Sequence, residues 1–444
     1  MKRAYDYPVF PDMRKQLEPL VQYGKLKYEQ GSDASSIQAI LNEANDCLLA
    51  KIDEIMGLPE DPGLLAREPD DLAAIRALRP QGRRAIWQRF DREKYREKIR
   101  GALLGRFAGC TLGAPVEFWT TDAMEKWAAH TGDDFPPGDY WSRVKTPDEL
   151  RYGVSTFLEY TRGEMTSVPV DDDTTYTVLG LLIMEDHGPG FTTEDVGRAW
   201  LKYLPHGCTA EAVALDNLRK GIPAELAGSI GNPYVQWIGA AIRSDPWGYM
   251  APGRMEKAAE FAFRDAFISH RRNGIYDAMF FSAAIAAAFE VKDTVEALEQ
   301  GLAEIPGDCL LAGDIRWALD KGRGIKDYRE ARQAVEDRFK GMGGAHANLN
   351  ACLTVFGLMI GKDDFSKVIG ETVAMGYDND CTAATAGSIA GAVLGAGNIP
   401  AHWTRPFQDR MLTYLHGHPA CGIDDLAERF SAQAEKILGQ EEGT

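Results

Sequence analysis

Long apolar segments are missing from the 444-residue chain. No stretch of about 18 apolar residues occurs, so we expect no transmembrane helix. The opening residues, M-K-R-A-Y-D-Y-P-V-F-P-D-M, also lack the apolar run of a signal peptide. Basic charge is scarce, because 49 Lys and Arg stand against 66 Asp and Glu and the formal net charge is −17. Nucleic acids and membrane surfaces are anionic, so we expect neither as a partner.

Closely spaced cysteine and histidine ligands are absent as well. The seven cysteines include no C-x-x-C pair. Their odd number and wide spacing are typical of a reduced chain, so we expect a cytoplasmic protein. No His-x-x-x-His pair occurs, and His416-Gly417-His418 has no third ligand beside it, so the sequence does not predict a zinc site.

Alternating strand patterns with hairpin turns are hard to find, whereas helical periodicity fills most of the chain. Examples of predicted helices are 193–203 and 209–219. The sequence therefore predicts an all-α protein. We expect a compact catalytic domain of many short helices at 94–440, because the character of the sequence changes near residue 94.

The residues before this boundary, 1–93, are expected to form a partly helical N-terminal extension. Residues 1–31 are rich in Tyr, Pro and Lys and suggest an irregular arm. Residues 33–56 carry apolar side chains at three- and four-residue spacing, which predicts an amphipathic helix. Ser32 or Asp33 would cap its N-terminus.

Three consecutive acids stand directly before an apolar run in V-D-D-D-T-T-Y-T-V-L-G-L-L-I-M, residues 170–184. Aspartate is a favoured N-cap, and acids in a first helical turn suit the helix dipole. Three adjacent acids at the start of a buried segment need positive charge or a metal ion nearby. A helix cap and a metal site both explain Asp171, Asp172 and Asp173, and both hypotheses stay open at this point.

A second acidic pair, Asp378 and Asp380, occurs in G-Y-D-N-D-C before another helical segment. An EF-hand loop is excluded, because Ala383 and Ile389 occupy the places of its glycine and glutamate. Oxygen ligands favour Mg²⁺ or Mn²⁺ over zinc. We therefore predict that two helix N-termini bring their carboxylates face to face across a core.

Small residues at four-residue spacing mark two helices for close packing. One helix carries Gly101, Gly105, Gly109 and Gly113, and the other carries Ala383, Gly387, Gly391 and Gly395. A helix face without side chains lets another helix approach closely. The first of these segments ends in Gly-Ala-Pro and then Glu117, and a lone glutamate in such a place is usually a solvated loop acid.

Taken in order, these segments resemble the motifs of the ADP-ribosylglycohydrolase family, which includes the dinitrogenase-reductase-activating glycohydrolase. The resemblance covers roughly residues 96–438. Gly101–Glu117 matches G-A-L-L-G-x-x-x-G-D-A-L-G-A-P-x-E, Asp171–Thr174 matches T/S-D-D-T, and Gly376–Cys381 matches G-G-D-x-D-T. The resemblance implies a compact, orthogonal multi-helix domain with a magnesium site, usually of two ions, at the bottom of a ribose-binding cleft.

The resemblance also assigns roles to particular residues. Glu117 and Asp173 are the expected catalytic residues. The expected metal ligands are Asp171, Asp172, Asp173, Asp378, Asp380 and Cys381. W-I-G-A-A-I-R-S-D-P-W-G is similar to a substrate-binding stretch of the family and D-A-F-I-S-H-R-R-N-G to its Thr-His segment. These matches imply that Gly239, Ala240 and His270 bind substrate.

Three positions depart from the family pattern. Cys110 replaces an aspartate, Cys381 replaces a metal-binding threonine, and Ile238 replaces an asparagine. A thiol is a poor ligand for Mg²⁺. We therefore expect one tightly held ion and a second that is weaker or absent. The departure at Ile238 leaves the ADP-ribose specificity open.

The resulting hypothesis is Mg²⁺-dependent hydrolysis of a ribosyl bond, either ADP-ribosyl or nucleoside-like, in a small-molecule or protein-linked substrate. Mn²⁺ would serve in place of Mg²⁺. One alternative is a non-catalytic protein of the same fold that binds ADP-ribose or a riboside. Another is a prenyl-diphosphate enzyme, but Asp172, Asp173 and Tyr176 do not supply its D-D-x-x-D spacing.

Overall fold

The computed structural model describes residues 5–86 and 90–441. Residues 1–4 and 87–89 of the expected extension, and residues 442–444, lie outside the described residues. One unit of the chain comprises Asp6–Ala66, and the other comprises Tyr5 and the described residues from Arg67 onward. The domain boundary near residue 94 stays a prediction.

The described residues consist mainly of α-helices, which confirms the predicted all-α class. In chain order the helices are α1 (Arg14–Glu29), α2 (Ala34–Met56), α3 (Pro62–Arg67), α4 (Leu72–Leu78), α5 (Arg92–Gly113), α6 (Thr121–Thr131), α7 (Asp172–His187), α8 (Thr193–Tyr203), α9 (Thr209–Arg219), α10 (Ala224–Ala227), α11 (Asp245–Met250), α12 (Met255–Ala266), α13 (Asn273–Ala288), α14 (Thr294–Gly301), α15 (Leu310–Gly322), α16 (Tyr328–Arg338), α17 (Ala347–Gly361), α18 (Phe365–Ala374), α19 (Asn379–Leu394), α20 (Ala401–Thr404) and α21 (Ile423–Glu441).

Strands in the described residues are two or three residues long. They are β1 (Tyr5–Asp6), β2 (Leu150–Arg151), β3 (Ser155–Thr156), β4 (Phe339–Lys340), β5 (Arg410–Leu412) and β6 (Ala420–Gly422). β2 pairs antiparallel with β3, and β5 pairs antiparallel with β6. None of the described helices has both the length and the hydropathy needed to cross a lipid bilayer.

The smaller unit is built on α1 and α2. The helix predicted at 33–56 is confirmed as α2, and the Asp33 carboxylate caps it by accepting a hydrogen bond from the Ser36 amide at 2.9 Å. The expectation of an irregular arm at residues 1–31 was wrong for residues 14–29, which form α1. Gly24 of α1 lies so close to α2 that a methyl group there would be 3.2 Å from Ile37. α1 continues through Pro19, which lacks the amide hydrogen that a helix interior normally uses.

In the larger unit, α5 and α19 run antiparallel with their backbones in contact. A methyl group on Gly105 would lie 2.1 Å from the Gly387 carbonyl oxygen, and one on Gly109 would lie 2.0 Å from that of Ala383. Gly101 and Gly391 approach each other in the same way. The predicted close packing of both glycine faces is confirmed. It places the end of α5 beside the start of α19, where the second acidic pair lies.

Candidate functional site

The first acidic segment lies at the start of α7. Asp171 is the N-cap, and its Oδ1 accepts a hydrogen bond from the Asp173 amide at 3.0 Å. Asp171 and Asp173 are fully buried, and Asp172 is half-buried. The helix-cap hypothesis therefore holds for Asp171. It does not account for Asp172 and Asp173, which lie within the first turn.

The second acidic segment lies at the start of α19. Asp378 occupies the N-cap position, yet its carboxylate makes no capping hydrogen bond. Oδ1 of Asp380 accepts the Cys381 amide at 3.0 Å. Gly113, the last residue of α5, touches the backbone of Asp380, since a methyl group there would be 2.5 Å from its Cα. The glycine contact thus fixes the end of α5 against this segment.

The structure brings the acids of all three segments together. Potential ligand atoms form three groups, and within each group they lie within 4.8 Å of one another. The groups are Glu117 with Asp378 and Asp380, Asp173 with Asp380 and Cys381, and Cys110 with Asp171 and Asp173. Glu117 follows a short 3-10 helix, Ala114–Val116, after α5 and is half-buried. The prediction that two helix N-termini face each other with their carboxylates is confirmed. We call Glu117, Asp171, Asp172, Asp173, Asp378 and Asp380 the acidic site.

Two arginines supply positive charge to the acidic site. Arg106 of α5 is fully buried and donates to the Asp173 carbonyl oxygen at 2.7 Å and to Asp245 Oδ2 at 2.6 Å. Arg151 donates to Glu117, Asp171 and Asp380. Nevertheless, Oδ1 of Asp173 and Oδ1 of Asp378 are buried without a hydrogen-bond partner.

Burial strongly disfavours the charged forms of these acids. It raises the pKa of Asp172, Asp173, Asp378 and Asp380, and neighbouring carboxylates raise each pKa further. Six carboxyl groups face two arginines in the acidic site, so full ionisation would leave an excess of negative charge. A divalent cation would stabilise the ionised carboxylates, and the partial positive charge of the two helix N-termini acts in the same direction.

Burial disfavours the thiolate form of the two cysteines of the site. Burial raises the pKa of Cys110 and Cys381, and the nearby aspartates raise it further. The Cys381 thiol donates to Asp173 Oδ2, with 3.1 Å between sulfur and oxygen. A thiol in this state orients Asp173, and the site offers carboxylate oxygens, which suit a hard cation.

The predicted substrate-binding residues form a second group. Gly239 and Ala240 lie in a 3-10 helix, Ile238–Arg243, and they are buried, as is His270. A methyl group on Gly239 would lie 2.3 Å from Glu211 Oε1, and His270 Nδ1 is 3.9 Å from the same oxygen. Glu211 is thus the common neighbour of the predicted residues.

Glu211 also connects this group to the acidic site. Burial raises the pKa of Glu211 to about 7; Arg243, which donates to it, lowers the pKa, and Asp172 raises it. Arg243 also donates to Asp265 Oδ2 at 2.8 Å. His270 stays neutral, because burial first and then Arg243 hold its pKa well below the usual value.

Sequence reasoning missed Arg106, Arg151, Tyr152 and Glu211. Arg106 stands inside the glycine-rich motif, and a basic residue on a buried helix requires buried acids nearby. That signal was available. Arg151 and Tyr152 belong to a short loop without periodicity, where no local pattern marks them.

Comparisons with known proteins agree with the motifs. The model of the ADP-ribosylglycohydrolase family matches residues 91–438, most of the sequence. The chain therefore belongs to the ADP-ribosylglycohydrolase family. It is 27% identical to an uncharacterized protein of Archaeoglobus fulgidus over 320 residues, which are 71% of this chain and 92% of that protein.

The fold is similar to that of a solved structure described as an ADP-ribosylglycohydrolase-related protein complex. The TM-score is 0.52 and the sequence identity 19%, and the match covers 77% of this chain and 99% of the solved one. At this identity the likeness shows the fold alone. It supports the all-α ADP-ribosylglycohydrolase fold, and the roles of individual residues remain predictions.

Proposed function

We propose that the protein hydrolyses the glycosidic bond of an ADP-ribosyl or related ribosyl compound with the help of Mg²⁺ or Mn²⁺. Membership of the family supports hydrolysis of ADP-ribosyl linkages. The observation that carries the metal requirement is the pair of buried, unpartnered oxygens, Oδ1 of Asp173 and Oδ1 of Asp378. Buried carboxylate oxygens without partners are costly unless a cation completes the site.

The residues present fit a divalent ion of this kind. Carboxylates from the starts of α7 and α19 and from Glu117 lie within ligand reach of one another. Their hard oxygen atoms match Mg²⁺, for which the soft sulfur atoms of Cys110 and Cys381 are poor ligands. When bound, the ion would orient the ribose hydroxyls and acidify a water molecule.

Glu117 is our candidate for the general base. It is half-buried, so it can face both the acidic site and an incoming substrate. Arg151 donates to its Oε2 at 2.7 Å and holds the carboxylate in place. A base positioned by a hydrogen bond can take a proton from a water molecule that attacks the anomeric carbon.

The other carboxylates would stabilise positive charge on the sugar. Glycoside hydrolysis passes through an oxocarbenium-like transition state, which nearby negative charge favours. Asp173 is our candidate for this role, because the Cys381 thiol fixes its Oδ2 and leaves its Oδ1 for the ion. Gly239, Ala240 and His270 stay predicted substrate contacts on the side of Glu211.

The test is a panel of ADP-ribosyl peptides, ADP-ribose and nucleosides, scored for release of free sugar with Mg²⁺ and with EDTA. We expect Mg²⁺-dependent release from at least one ribosyl compound and none from Asp173→Asn protein. Binding of ADP-ribose without release from any compound would contradict hydrolysis and favour the non-catalytic alternative. Release that is unchanged in EDTA would contradict the metal requirement.

A further inference from the structure

Arg151 reaches the acidic site from a short hairpin. β2 and β3 pair antiparallel, with Arg151 opposite Ser155. Tyr152, next in the chain, has a φ of 51°, a left-handed conformation that is unfavourable for a residue with a side chain. Its hydroxyl donates to Asp172 Oδ1 at 2.7 Å. The hairpin is therefore held at the site by contacts of both residues.

The guanidinium of Arg151 contacts three acids from three segments of the chain. Its Nη1 donates to Glu117 Oε2 at 2.7 Å, and its Nη2 donates to Asp380 Oδ2 at 2.7 Å. Its Nε donates to Asp171 Oδ2 at 2.9 Å. Only 10% of the Arg151 side chain is exposed. One fixed positive charge therefore joins three carboxylates at a place with little water to screen it.

A metal ion and Arg151 would compete for the same oxygens. The three acids that Arg151 contacts are among the predicted ligands and the predicted base. A cation that took Oδ2 of both Asp171 and Asp380 would have to displace two charge-assisted hydrogen bonds. It would also come close to a like charge on the guanidinium.

The unpartnered oxygens belong to other acids. They are Oδ1 of Asp173 and Oδ1 of Asp378, and no hydrogen bond connects either residue to the Arg151 side chain. The nearest positive charge to Asp173 is Arg106, with Nη2 at 3.6 Å from Oδ1. The acidic site thus has one part in which Arg151 donates hydrogen bonds to the carboxylates, and another part in which two carboxylate oxygens have no hydrogen-bond partner.

We propose that Arg151 is the resident cation of the part formed by Glu117, Asp171 and Asp380, and that it limits the chain to a single divalent ion on the side of the unpartnered oxygens. This inference rests on the proposed metal-dependent function and limits it to one ion. Arg151 is a positioning residue, because it holds Glu117 through hydrogen bonds. The departure at Cys381 and the presence of Arg151 then have the same effect, which is to weaken a second metal position.

The experiment counts Mn²⁺ ions on the metal-stripped full-length protein after equilibrium dialysis, by elemental analysis and calorimetric titration. We expect one ion for each wild-type chain and two for Arg151→Gln, whose amide keeps part of the hydrogen bonding without the charge. Arg151→Lys keeps the charge and should bind one ion.

The matched control is Arg338→Gln. Arg338 is also an almost buried arginine paired with a buried acid, Asp314, outside the acidic site, and its side chain is 9% exposed. If the loss of the arginine beside any buried acid were enough to create a metal site, this variant would bind an additional ion. We expect it to bind one ion, as the wild type does.

A second measurement does not depend on metal. Removal of Arg151 leaves a space shaped for a guanidinium group among three acids. Low millimolar guanidinium should therefore raise the thermal midpoint of metal-free Arg151→Ala and leave that of the wild type unchanged. Urea at equal concentration is the control, since it has a similar shape and no charge. Equal responses to guanidinium and urea would contradict the role of charge.

The number of Mn²⁺ ions bound to each chain distinguishes failure of this inference from failure of the proposed function. Two tightly bound ions in the wild type would overturn the inference and leave the proposed metal dependence intact. The same count in the wild type and Arg151→Gln would also overturn it. No bound ion in the wild type would contradict the metal dependence itself. Should Arg151→Gln fail to fold, the wild-type count and the guanidinium response of Arg151→Ala remain decisive.

Discussion

The acidic site and the cluster around Asp314 are both buried, but their charges are arranged differently. Asp314 of α15 has one arginine, Arg338, whose Nε donates to Oδ1 at 3.0 Å. Its Oδ2 accepts from the Tyr5 hydroxyl at 2.9 Å and from Asn348 Nδ2 at 2.8 Å. Every oxygen of Asp314 therefore has a partner within the protein.

In the acidic site, by contrast, acids outnumber arginines and two oxygens have no partner. Burying an unpaired charge is expensive, whereas a paired and hydrogen-bonded one is tolerated. The Asp314 cluster needs nothing from outside the protein. The difference supports the proposal that the acidic site takes a ligand, and it provides four quantities to compare: activity, stability, metal response and metal affinity.

Asp378→Asn should give the largest effect on activity. The change removes the negative charge of a carboxylate whose Oδ1 has no partner in the protein. Loss of a residue that only supports a metal ligand already lowers metal affinity or activity by about 10–100-fold. We expect sugar release to fall by more than about 100-fold. The midpoint of metal-free unfolding should stay the same or rise, because repulsion among the acids decreases. A marked loss of stability with activity retained would indicate a capping role instead.

Arg338→Gln should lower the stability of the protein and leave its activity unchanged, which is the opposite of the effect expected for Asp378→Asn. It leaves Asp314 buried without its positive charge, so we expect a loss of about 3–5 kcal/mol in the free energy of unfolding. Activity per folded molecule should remain, because Arg338 lies outside the acidic site. Urea unfolding and sugar release on the same sample make the comparison, with Arg338→Lys as the milder variant. A loss below about 1 kcal/mol would mean that the pair behaves like an exposed one.

Glu304 extends the comparison to a domain boundary. It is fully buried and paired with Arg79 and Arg84, the latter donating to Oε1 at 3.1 Å. A chain that starts at residue 94 lacks both arginines and should lose about 3–5 kcal/mol relative to one that starts at residue 67. Comparing the solubility and unfolding of the two truncations tests this. Equal stability would support a boundary at residue 94.

Mg²⁺ should stabilise the folded protein, and it should do so only through the acidic site. A ligand at 100 times its Kd raises the free energy of unfolding by about 2.7 kcal/mol. We expect a shift of that order between saturating Mg²⁺ and EDTA in the wild type and in Arg338→Gln. The double variant Asp173→Asn with Asp378→Asn should show no shift. A wild-type midpoint that is identical in Mg²⁺ and EDTA would contradict the metal site.

Cys381→Thr should have the smallest effect. A hydroxyl oxygen is a harder ligand than a thiol and can still donate to Asp173, so Mg²⁺ affinity should rise. We expect a gain of less than about tenfold, or about 1.4 kcal/mol, measured by calorimetry. Cys352→Ser, a buried cysteine near Asp314, is the control and should leave the affinity unchanged. Weaker binding in Cys381→Thr would mean that the thiol serves the ion better than a hydroxyl.

The helices were predictable where local signals agree. The predictions at 193–203 and 209–219 match α8 and α9. α8 has a capping box, in which Thr192 and Asp195 exchange hydrogen bonds, followed by an amphipathic pattern. α1 was missed because its tyrosines, its lysines and Pro19 suggest an irregular segment.

The acids of the site were predictable because they stand in short motifs at helix starts. Arg151 was not, because its role depends on contacts far apart in the sequence. Its partners Glu117 and Asp380 lie 34 and 229 residues away. A loop residue gains such contacts only when the fold is complete, and charge alone did not distinguish Arg151 from other arginines.

The glycine contact between α5 and α19 determines where the protein can change. Gly105 and Gly109 have no room for a single methyl group, so selection for a new substrate can hardly alter this helix pair. Gly153, in the hairpin after Arg151, has open space around its Cβ position, although its φ of 69° disfavours a side chain. The hairpin can therefore accept a change of length or conformation more easily than the helix pair can accept a side chain. Diversification in this chain would proceed by exchanging the loop over a helix pair that stays the same.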